Sequence, residues 1–250
     1  MPMLCAMYVA PVSACPDDAV LAKIAGFKNL FIGEVHGTVE TPEFVRCVID
    51  KKIELQGSGL VVSLELPRSV ETSSEFWNRS AEMQDGRASQ AMHELFLYLQ
   101  SKEQQGVIAL RFLDTGVGSS NKELMSEQEG FPADPGVVIY RGNAHSKKSV
   151  YEGTPFLLGA ATSEFVHISV IAGDGGEFWG CAPGCGVHAF PAALGAEGKA
   201  IPHGALIDGK EHDHDYIYFL ESRVFTASLP WKDAVVCEAC VGEFPGIPRF

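Results

Sequence analysis

Short apolar runs that end in polar residues recur along the chain. The stretch Asn29–Gly37 contains one such run, Leu30-Phe31-Ile32, which is followed directly by Gly33-Glu34-Val35-His36. A short apolar run that stops at glycine and charged groups is typical of a buried strand. The same pattern predicts three further strands, at 60–65, 106–114 and 136–145, the last of which finishes at His145.

Helical periodicity separates these strands. Apolar residues at positions 44, 45, 48, 49 and 53 fall on one face, which predicts a helix over 40–55. Thr38 or Thr41 would cap this helix, and Pro42 suits its first turn. Residues 91–100 carry a second amphipathic pattern after a long polar segment.

Strands that alternate with helices predict an α/β fold with a mainly parallel central sheet flanked by helices. Right-handed crossovers would bring the carboxyl ends of all four strands to one edge, where open α/β sheets bind ligands. One polar residue at a strand end is usually a loop cap, but its recurrence after four strands favours a functional site. The residues expected to converge are Glu34, His36, Glu65, Asp114 and His145.

The C-terminal part of the chain has a weaker pattern. Residues 166–172 predict a fifth strand, 216–220 and 224–226 predict antiparallel strands, and 173–186 predict a loop. The run Glu211–Asp215 offers many metal-ligand atoms, but alternate residues of an extended chain point to opposite sides. We therefore expect this run to form an exposed turn before a strand.

The net charge restricts the partners of this protein. A formal net charge of -13 argues against nucleic acid or an anionic membrane surface, because either would be repelled by most of the protein surface. A small-molecule or peptide substrate is expected instead. No apolar run approaches the roughly 20 residues of a membrane span, so no transmembrane segment is predicted.

The chain length predicts one large domain, which we assign to residues 16–250 as a single α/β domain. Residues 1–15 are predicted as a signal peptide or a lipoprotein signal, because Val12-Ser13-Ala14-Cys15 fits a lipoprotein cleavage site. The protein would then be periplasmic or extracellular, with or without a lipid on Cys15. The short apolar segment, interrupted by Pro11, leaves a cytoplasmic protein as the alternative.

Seven cysteines are many for a cytosolic chain of this size, and four of them form the late pairs Cys181-x3-Cys185 and Cys237-x2-Cys240. In an exported protein these pairs would form disulfides, whereas in a reducing compartment they could hold zinc. The distance between the pairs exceeds that of the common zinc pattern. Disulfides are therefore preferred, with Cys47 as a core residue of the first predicted helix.

Two histidines with nearby carboxylates allow two kinds of chemistry. As ligands, His36, His145 and either Glu65 or Glu34 would leave an open position where a divalent metal activates water. Without a metal, His36 could act as a general base that Glu34 or Glu65 orients. The sequence alone does not decide between these mechanisms.

Other polar residues near the strand ends are candidates for substrate binding. Arg87 or Arg141 could stabilise a developing oxyanion, although Arg141 could equally pair with Asp114 as a structural ion pair. The predicted substrate-binding residues are Arg87, Asp114, Arg141 and Asn143. A serine nucleophile elbow, a dinucleotide fingerprint and a phosphate-binding loop are all missing from the sequence, which disfavours those enzyme classes.

Gly33-Glu34-Val35-His36 and Gly142-Asn143-Ala144-His145 are two copies of a Gly-x-x-His pattern, each at a strand end. On these motifs and Glu65, roughly residues 28–148 resemble the erythromycin esterase, ChaN and Tiki (TraB-like) superfamily. Resemblance to the Tiki-like metal-dependent peptidases implies metal ligation by both histidines, and resemblance to the esterases implies a histidine general base. The Glu–His spacing is one residue shorter than in the esterases and is most similar to that of the haem-binding ChaN-like proteins.

The sequence therefore predicts a hydrolase of ester or peptide bonds with catalytic Glu34, His36, Glu65 and His145. A divalent metal bound by His36, His145 and Glu65 is the predicted cofactor. The alternative is a ChaN-like haem- or iron-binding protein without turnover.

Overall fold

The structure is a computed structural model of the 250-residue chain, and it describes residues 14–78, 85–112, 136–149, 164–181, 184–193 and 202–231. Within these ranges the helices are α1 Asp18–Gly26, α2 Glu40–Gln56 and α3 Gln90–Gln104. The strands are β1 Leu30–Glu34, β2 Leu60–Leu64, β3 Ile108–Phe112, β4 Val137–Gly142, β5 Val166–Ile171, β6 Gly176–Gly180, β7 Gly186–Phe190, β8 Leu206–Asp208 and β9 Tyr216–Phe219.

Seven strands form one sheet in the order β3-β2-β4-β1-β5-β9-β8. Every neighbouring pair from β3 to β9 is parallel, and β8 pairs antiparallel with β9. β6 and β7 form a separate antiparallel hairpin. This topology confirms the predicted α/β fold, with a mainly parallel sheet and antiparallel strands toward the C-terminus.

The central strands are buried along their whole length. β1, β2 and β4 have no exposed residue, which explains why they read as continuous apolar runs rather than as alternating patterns. α2 turns the predicted apolar face, including Phe44 and Val48, into the core. The helices predicted over 40–55 and 91–100 are confirmed as α2 and α3.

The start of α2 differs from the prediction. Its N-cap residue is Val39, and no side chain caps the helix. The hydroxyl of Thr38 donates instead to the carbonyl of Val35 at 2.9 Å and lies 2.7 Å from the hydroxyl of Thr41. Thr41 in turn donates to Glu34 at 3.2 Å. The hydroxyls of Thr38 and Thr41 therefore join a hydrogen-bond network that follows β1, instead of capping α2.

A buried lysine joins α2 to the end of α1. Lys52 is fully buried, and its ammonium donates to the carbonyls of Ala25, Phe27 and Lys28 at 3.2, 2.5 and 3.2 Å. The last carbonyls of a helix lack intrahelical partners and favour a nearby cation. Burial lowers the pKa of Lys52 to about 8. Lys52 is therefore a structural cation that caps α1.

The C-terminal predictions need three corrections. The loop predicted over 173–186 is wrong in part, because β6 occupies Gly176–Gly180. The strand predicted over 224–226 reduces, in the described structure, to a single bridge between Phe225 and Gly176. The strand predicted over 216–220 is present as β9, but it pairs parallel with β5 as well as antiparallel with β8.

Two disulfides are formed within the described residues, Cys15–Cys47 and Cys181–Cys185. The second confirms the prediction for the earlier of the late pairs, whereas Cys237 and Cys240 lie outside the described residues. The sequence predicts Cys47 only as a core residue of a helix. It does lie on α2, but its sulfur is bonded to that of Cys15, in the segment that precedes α1. Disulfides are typical of extracellular and periplasmic proteins, where the compartment is oxidising.

The predicted signal lies mainly in residues 1–13, outside the described part of the chain. Among the described helices, none is both long and apolar enough to cross a membrane.

Replacing both Cys15 and Cys47 by serine should lower the free energy of unfolding by about 3–4 kcal/mol, because the disulfide restricts the unfolded chain. The two cysteines are 32 positions apart, and urea unfolding without reductant measures the loss. The matched control is the Cys181→Ser/Cys185→Ser variant, which opens a span of only 4 positions and should lose less stability. Free thiols at Cys15 and Cys47 in non-reducing mass spectrometry would contradict the pairing.

Candidate active site

Three strand ends meet at one point of the sheet edge. β4 lies between β1 and β2, so the residues at the ends of these strands are neighbours although they are distant in sequence. Glu34 is opposite Gly142 in the β1–β4 pair, and Leu64, just before Glu65, is opposite Tyr140 in the β2–β4 pair. The four predicted catalytic residues are brought together here: Glu34, His36, Glu65 and His145.

The carboxylate of Glu65 lies at the centre of the site. One oxygen, Oε2, accepts a hydrogen bond from the main-chain N–H of Gly142 at 2.9 Å and lies 3.6 Å from Nε2 of His36. The other oxygen, Oε1, lies 3.6 Å from Nε2 of His145 and 3.6 Å from Nη1 of Arg87. Glu65 is only 5% exposed, so these groups replace its hydration.

Glu34 is a second buried carboxylate, and it holds one side of His36. Nδ1 of His36 donates to Oε1 of Glu34 at 2.7 Å. The other carboxylate oxygen accepts from the phenol of Tyr140 and from the hydroxyl of Thr41. Burial and the charge of Glu34 raise the pKa of Tyr140 well above its ordinary value, so the phenol stays a neutral donor. The His36 ring is therefore fixed through Nδ1, and its Nε2 faces Glu65.

The charges that meet in the site change the pKa values of His36 and Glu65. Burial disfavours a charged imidazole, but Glu34 and Glu65 outweigh burial and raise the pKa of His36 to about 9. Burial also disfavours a charged carboxylate at Glu65, yet the two histidines and Arg141 hold the pKa of that carboxyl below its ordinary value. At neutral pH the site therefore contains an imidazolium at His36 beside an ionised Glu65.

The predicted substrate-binding residues have different surroundings. Arg87 lies at the site, and its Nε donates to the carboxylate of Asp85 at 2.9 Å. Arg141 is fully buried, and its charge acts on Glu65 from within the sheet. The side-chain oxygen of Asn143 accepts from Ser169 at 2.8 Å. Asp114 lies outside the described residues.

Sequence reasoning missed three residues that complete the site. Tyr140 and Thr41 hold Glu34, and Asp85 orients Arg87. Tyr140 was hidden in the apolar run of β4, where an aromatic residue is expected for packing. A polar atom on a fully buried strand needs a partner, and this requirement is the one signal that could have drawn attention to Tyr140.

The loops that carry His36 and Arg87 both pack against the backbone of Trp179. Gly37 and Gly86 both have positive φ, at 72° and 92°. A side chain at Gly37 would collide with the carbonyl of Trp179 in β6, and a Cβ at Gly86 would lie 2.6 Å from that same oxygen. The N–H of Trp179 donates to the carbonyl of Gly37 at 2.9 Å. The β6–β7 hairpin therefore holds both loops, and the Cys181–Cys185 disulfide closes its tip.

The three predicted metal ligands, His36, His145 and Glu65, are neighbours in this site. His36 and His145 approach Glu65 from opposite carboxylate oxygens. Across the described ranges, no three His, Cys, Asp or Glu side chains are arranged to hold a metal ion. The predicted ligands His36, His145 and Glu65 therefore lie together without forming such an arrangement.

The raised pKa of His36 predicts a pH-dependent contribution to stability. The imidazolium is favoured in the folded state, so its contribution is complete below the ordinary pKa of 6.5 and is lost as pH rises through about 9. The difference in Tm between the wild type and His36→Gln should therefore be largest in mildly acidic buffer and should shrink in alkaline buffer. Differential scanning calorimetry of both proteins measures it, and a constant difference across this range would contradict the assignment.

Comparisons with known proteins give little further information. No family model and no curated protein matches the chain. Among solved structures it is similar to the type III effector HopBA1, with 13% sequence identity and a TM-score of 0.41. The match covers 68% of this chain and 91% of that chain. Similarity at this level gives no information about the activity of this chain.

Proposed function

We propose that this protein is a hydrolase that adds water to an ester or amide carbonyl of a small-molecule or peptide substrate. The observation that carries the proposal is the placement of two imidazoles and one guanidinium around the single carboxylate of Glu65. Nε2 of His36 and Nε2 of His145 each lie 3.6 Å from a different oxygen of that carboxylate. With two imidazoles beside one anion, one ring can stay protonated to stabilise negative charge while the other takes up and returns a proton.

In this proposal the two histidines have different roles. His36 lies beside two carboxylates, Glu34 and Glu65, which raise its pKa to about 9. His36 therefore keeps its proton and stabilises the negative charge that develops on the carbonyl oxygen, together with Arg87. The sequence offered His36 as the general base of a reaction without metal, but a group with a pKa of about 9 would be mostly deprotonated only in alkaline solution.

His145 is the proposed general base. A water molecule between His145 and Glu65 can contact both, since their atoms are 3.6 Å apart. The imidazole of His145 takes one proton from the water as its oxygen attacks the carbonyl carbon. The same proton then passes to the leaving alkoxide or amine as the carbon–heteroatom bond breaks. Glu65 stays ionised throughout and stabilises the imidazolium that forms at His145.

Both histidine side chains are accessible to a substrate. The side chains of His36 and His145 are 26% and 24% exposed, whereas those of Glu34 and Glu65 are almost completely buried. The carboxylates therefore act through the histidines, and the histidines and Arg87 present the surface that a substrate would meet.

Export to an oxidising compartment is part of the proposal. It is supported by the two disulfides and by the small-residue site before Cys15. A sulfur engaged in a disulfide cannot also carry a thioether-linked lipid. Because Cys15 is bonded to Cys47, we favour cleavage of a signal peptide without lipidation.

Turnover tests the proposal directly. The purified protein is assayed with p-nitrophenyl esters, a macrolide lactone and a mixture of casein peptides. The variants His36→Gln, His145→Gln and Glu65→Gln should each lower kcat by roughly 10²–10⁴-fold, because each removes a group that acts on the proton transfer or on the developing negative charge. The double variant His145→Gln/Glu65→Gln should be scarcely worse than either single variant, because these two residues act as one unit.

The matched control is His203→Gln, since His203 lies outside the site and pairs with Asp174. Circular dichroism must show that all variants are folded. Additive losses in the double variant, or no turnover of any probe by the wild type, would refute the hydrolase.

The predicted cofactors are tested separately. Elemental analysis of the purified protein should report a divalent metal at one per chain if His36, His145 and Glu65 are ligands as the sequence predicts. A Soret band on titration with haemin would instead support the haem-binding alternative. For a hydrolase we expect no Soret band, and a saturable one would overturn the choice of a hydrolase over a haem protein.

A further inference from the structure

The run Glu211–Asp215, rich in metal-ligand atoms, contacts the turn that carries His145. The run forms a turn before β9 with Glu211 and His212 exposed, as expected, but His214 is only 3% exposed and its Nε2 lies 2.8 Å from Oγ of Ser146. Ser146 directly follows His145 and is fully buried. Neither His214 nor Ser146 can therefore meet a substrate, yet they form a hydrogen bond one residue from the proposed base.

The direction of this hydrogen bond follows from the other ring nitrogen. Nδ1 of His214 lies 2.7 Å from the carbonyl oxygen of His212, which can only accept, so Nδ1 carries the proton. In a neutral imidazole Nε2 is then an acceptor, and the hydroxyl of Ser146 donates to it. Burial lowers the pKa of His214 to about 4, in agreement with a neutral ring.

The hydroxyl of Ser146 has a competing acceptor. Its oxygen also lies 3.0 Å from the carbonyl of Asn143, at the start of the same turn. A hydroxyl has one proton, so donation to His214 and donation to Asn143 exclude each other. His214 therefore selects one of two orientations of the Ser146 hydroxyl, at the end of the segment Asn143–Ser146, which we term the His145 turn.

Further contacts fix the same turn from outside it. The carbonyl of Ser146 lies 2.6 Å from Nδ1 of His167, and the side chain of Asn143 accepts from Ser169. A side chain at Gly33 would collide with both Ser146 and Asn143, so the turn packs directly against β1. Between its two fixed ends, the turn directs His145 toward Glu65.

We propose that His214 is a positioning residue for His145, because its hydrogen bond with Ser146 fixes the turn that aims the His145 imidazole at Glu65. The expected effect on turnover rests on the proposed function. The orientation of the ring does not, since it can be measured in the resting protein.

The test combines spectroscopy with kinetics. In protein labelled with ¹³C-histidine, the Cε1–H signal of His145 is assigned by its absence from His145→Gln. His214→Phe and Ser146→Ala should each broaden or double this signal, because the turn then samples more than one state. His214→Gln should keep a single signal, because the amide oxygen can accept from Ser146. The control variant His203→Phe should leave the signal unchanged.

The kinetic readout separates positioning from binding. His214→Phe and Ser146→Ala should lower kcat by about 10- to 100-fold with little change in KM, since small misplacements of a catalytic group have effects of this size. His214→Gln should restore most of the loss.

A single, unshifted His145 signal in both His214→Phe and Ser146→Ala, accompanied only by a lower Tm, would overturn the proposal and make His214 structural. If His214→Phe does not fold, Ser146→Ala decides alone, because it removes only one hydroxyl. A wild type without turnover would refute the hydrolase, whereas the His145 signal would still test the positioning role.

Discussion

The buried negative charge of Glu65 is the interaction on which the site depends. A carboxylate that is 5% exposed is costly unless hydrogen bonds and opposite charges compensate it. Here the compensation comes from the Gly142 N–H, from His36, from His145 and from Arg87, which lie on three separate segments of the chain. Loops that are independent in sequence are thus drawn to one anion, and the same contacts that stabilise the anion assemble the chemical groups.

The second carboxylate, Glu34, differs from Glu65 in that its side-chain partners are at direct hydrogen-bond distance. Its oxygens are occupied by Tyr140, Thr41 and His36. A buried carboxylate that three donors hold can orient a ring but has little capacity to exchange protons with a substrate. Glu65, by contrast, meets its histidines and Arg87 at 3.6 Å, beyond the length of a direct hydrogen bond. This difference separates a fixed positioning carboxylate from one that can share its partners with water or substrate.

Precision at the site comes from close backbone contacts as well as from charges. Loops are usually the most mobile parts of a fold, but here Gly37 and Gly86 are packed against the carbonyl of Trp179, and Gly33 leaves room for the His145 turn. Farther from the site, the Cys181–Cys185 disulfide closes the tip of the β6–β7 hairpin. The Cys15–Cys47 disulfide and the buried Lys52 hold α1 and the segment before it to α2. The active loops are thereby attached to rigid elements on several sides.

The sequence by itself determined the secondary structure of the central region and the convergence of the strand ends. Apolar runs that stop at glycine and a polar residue specify buried parallel strands, and right-handed crossovers leave Glu34, Glu65 and His145 on one edge whatever the strand order. The tertiary structure alone decided that β4 lies between β1 and β2, that Tyr140 and Thr41 serve Glu34, and that Cys47 pairs with Cys15. It also decided that His214 is buried beneath the His145 turn. Periodicity is a local property of the chain, whereas the choice of partner among distant residues depends on the free energy of packing and charge compensation in the folded molecule.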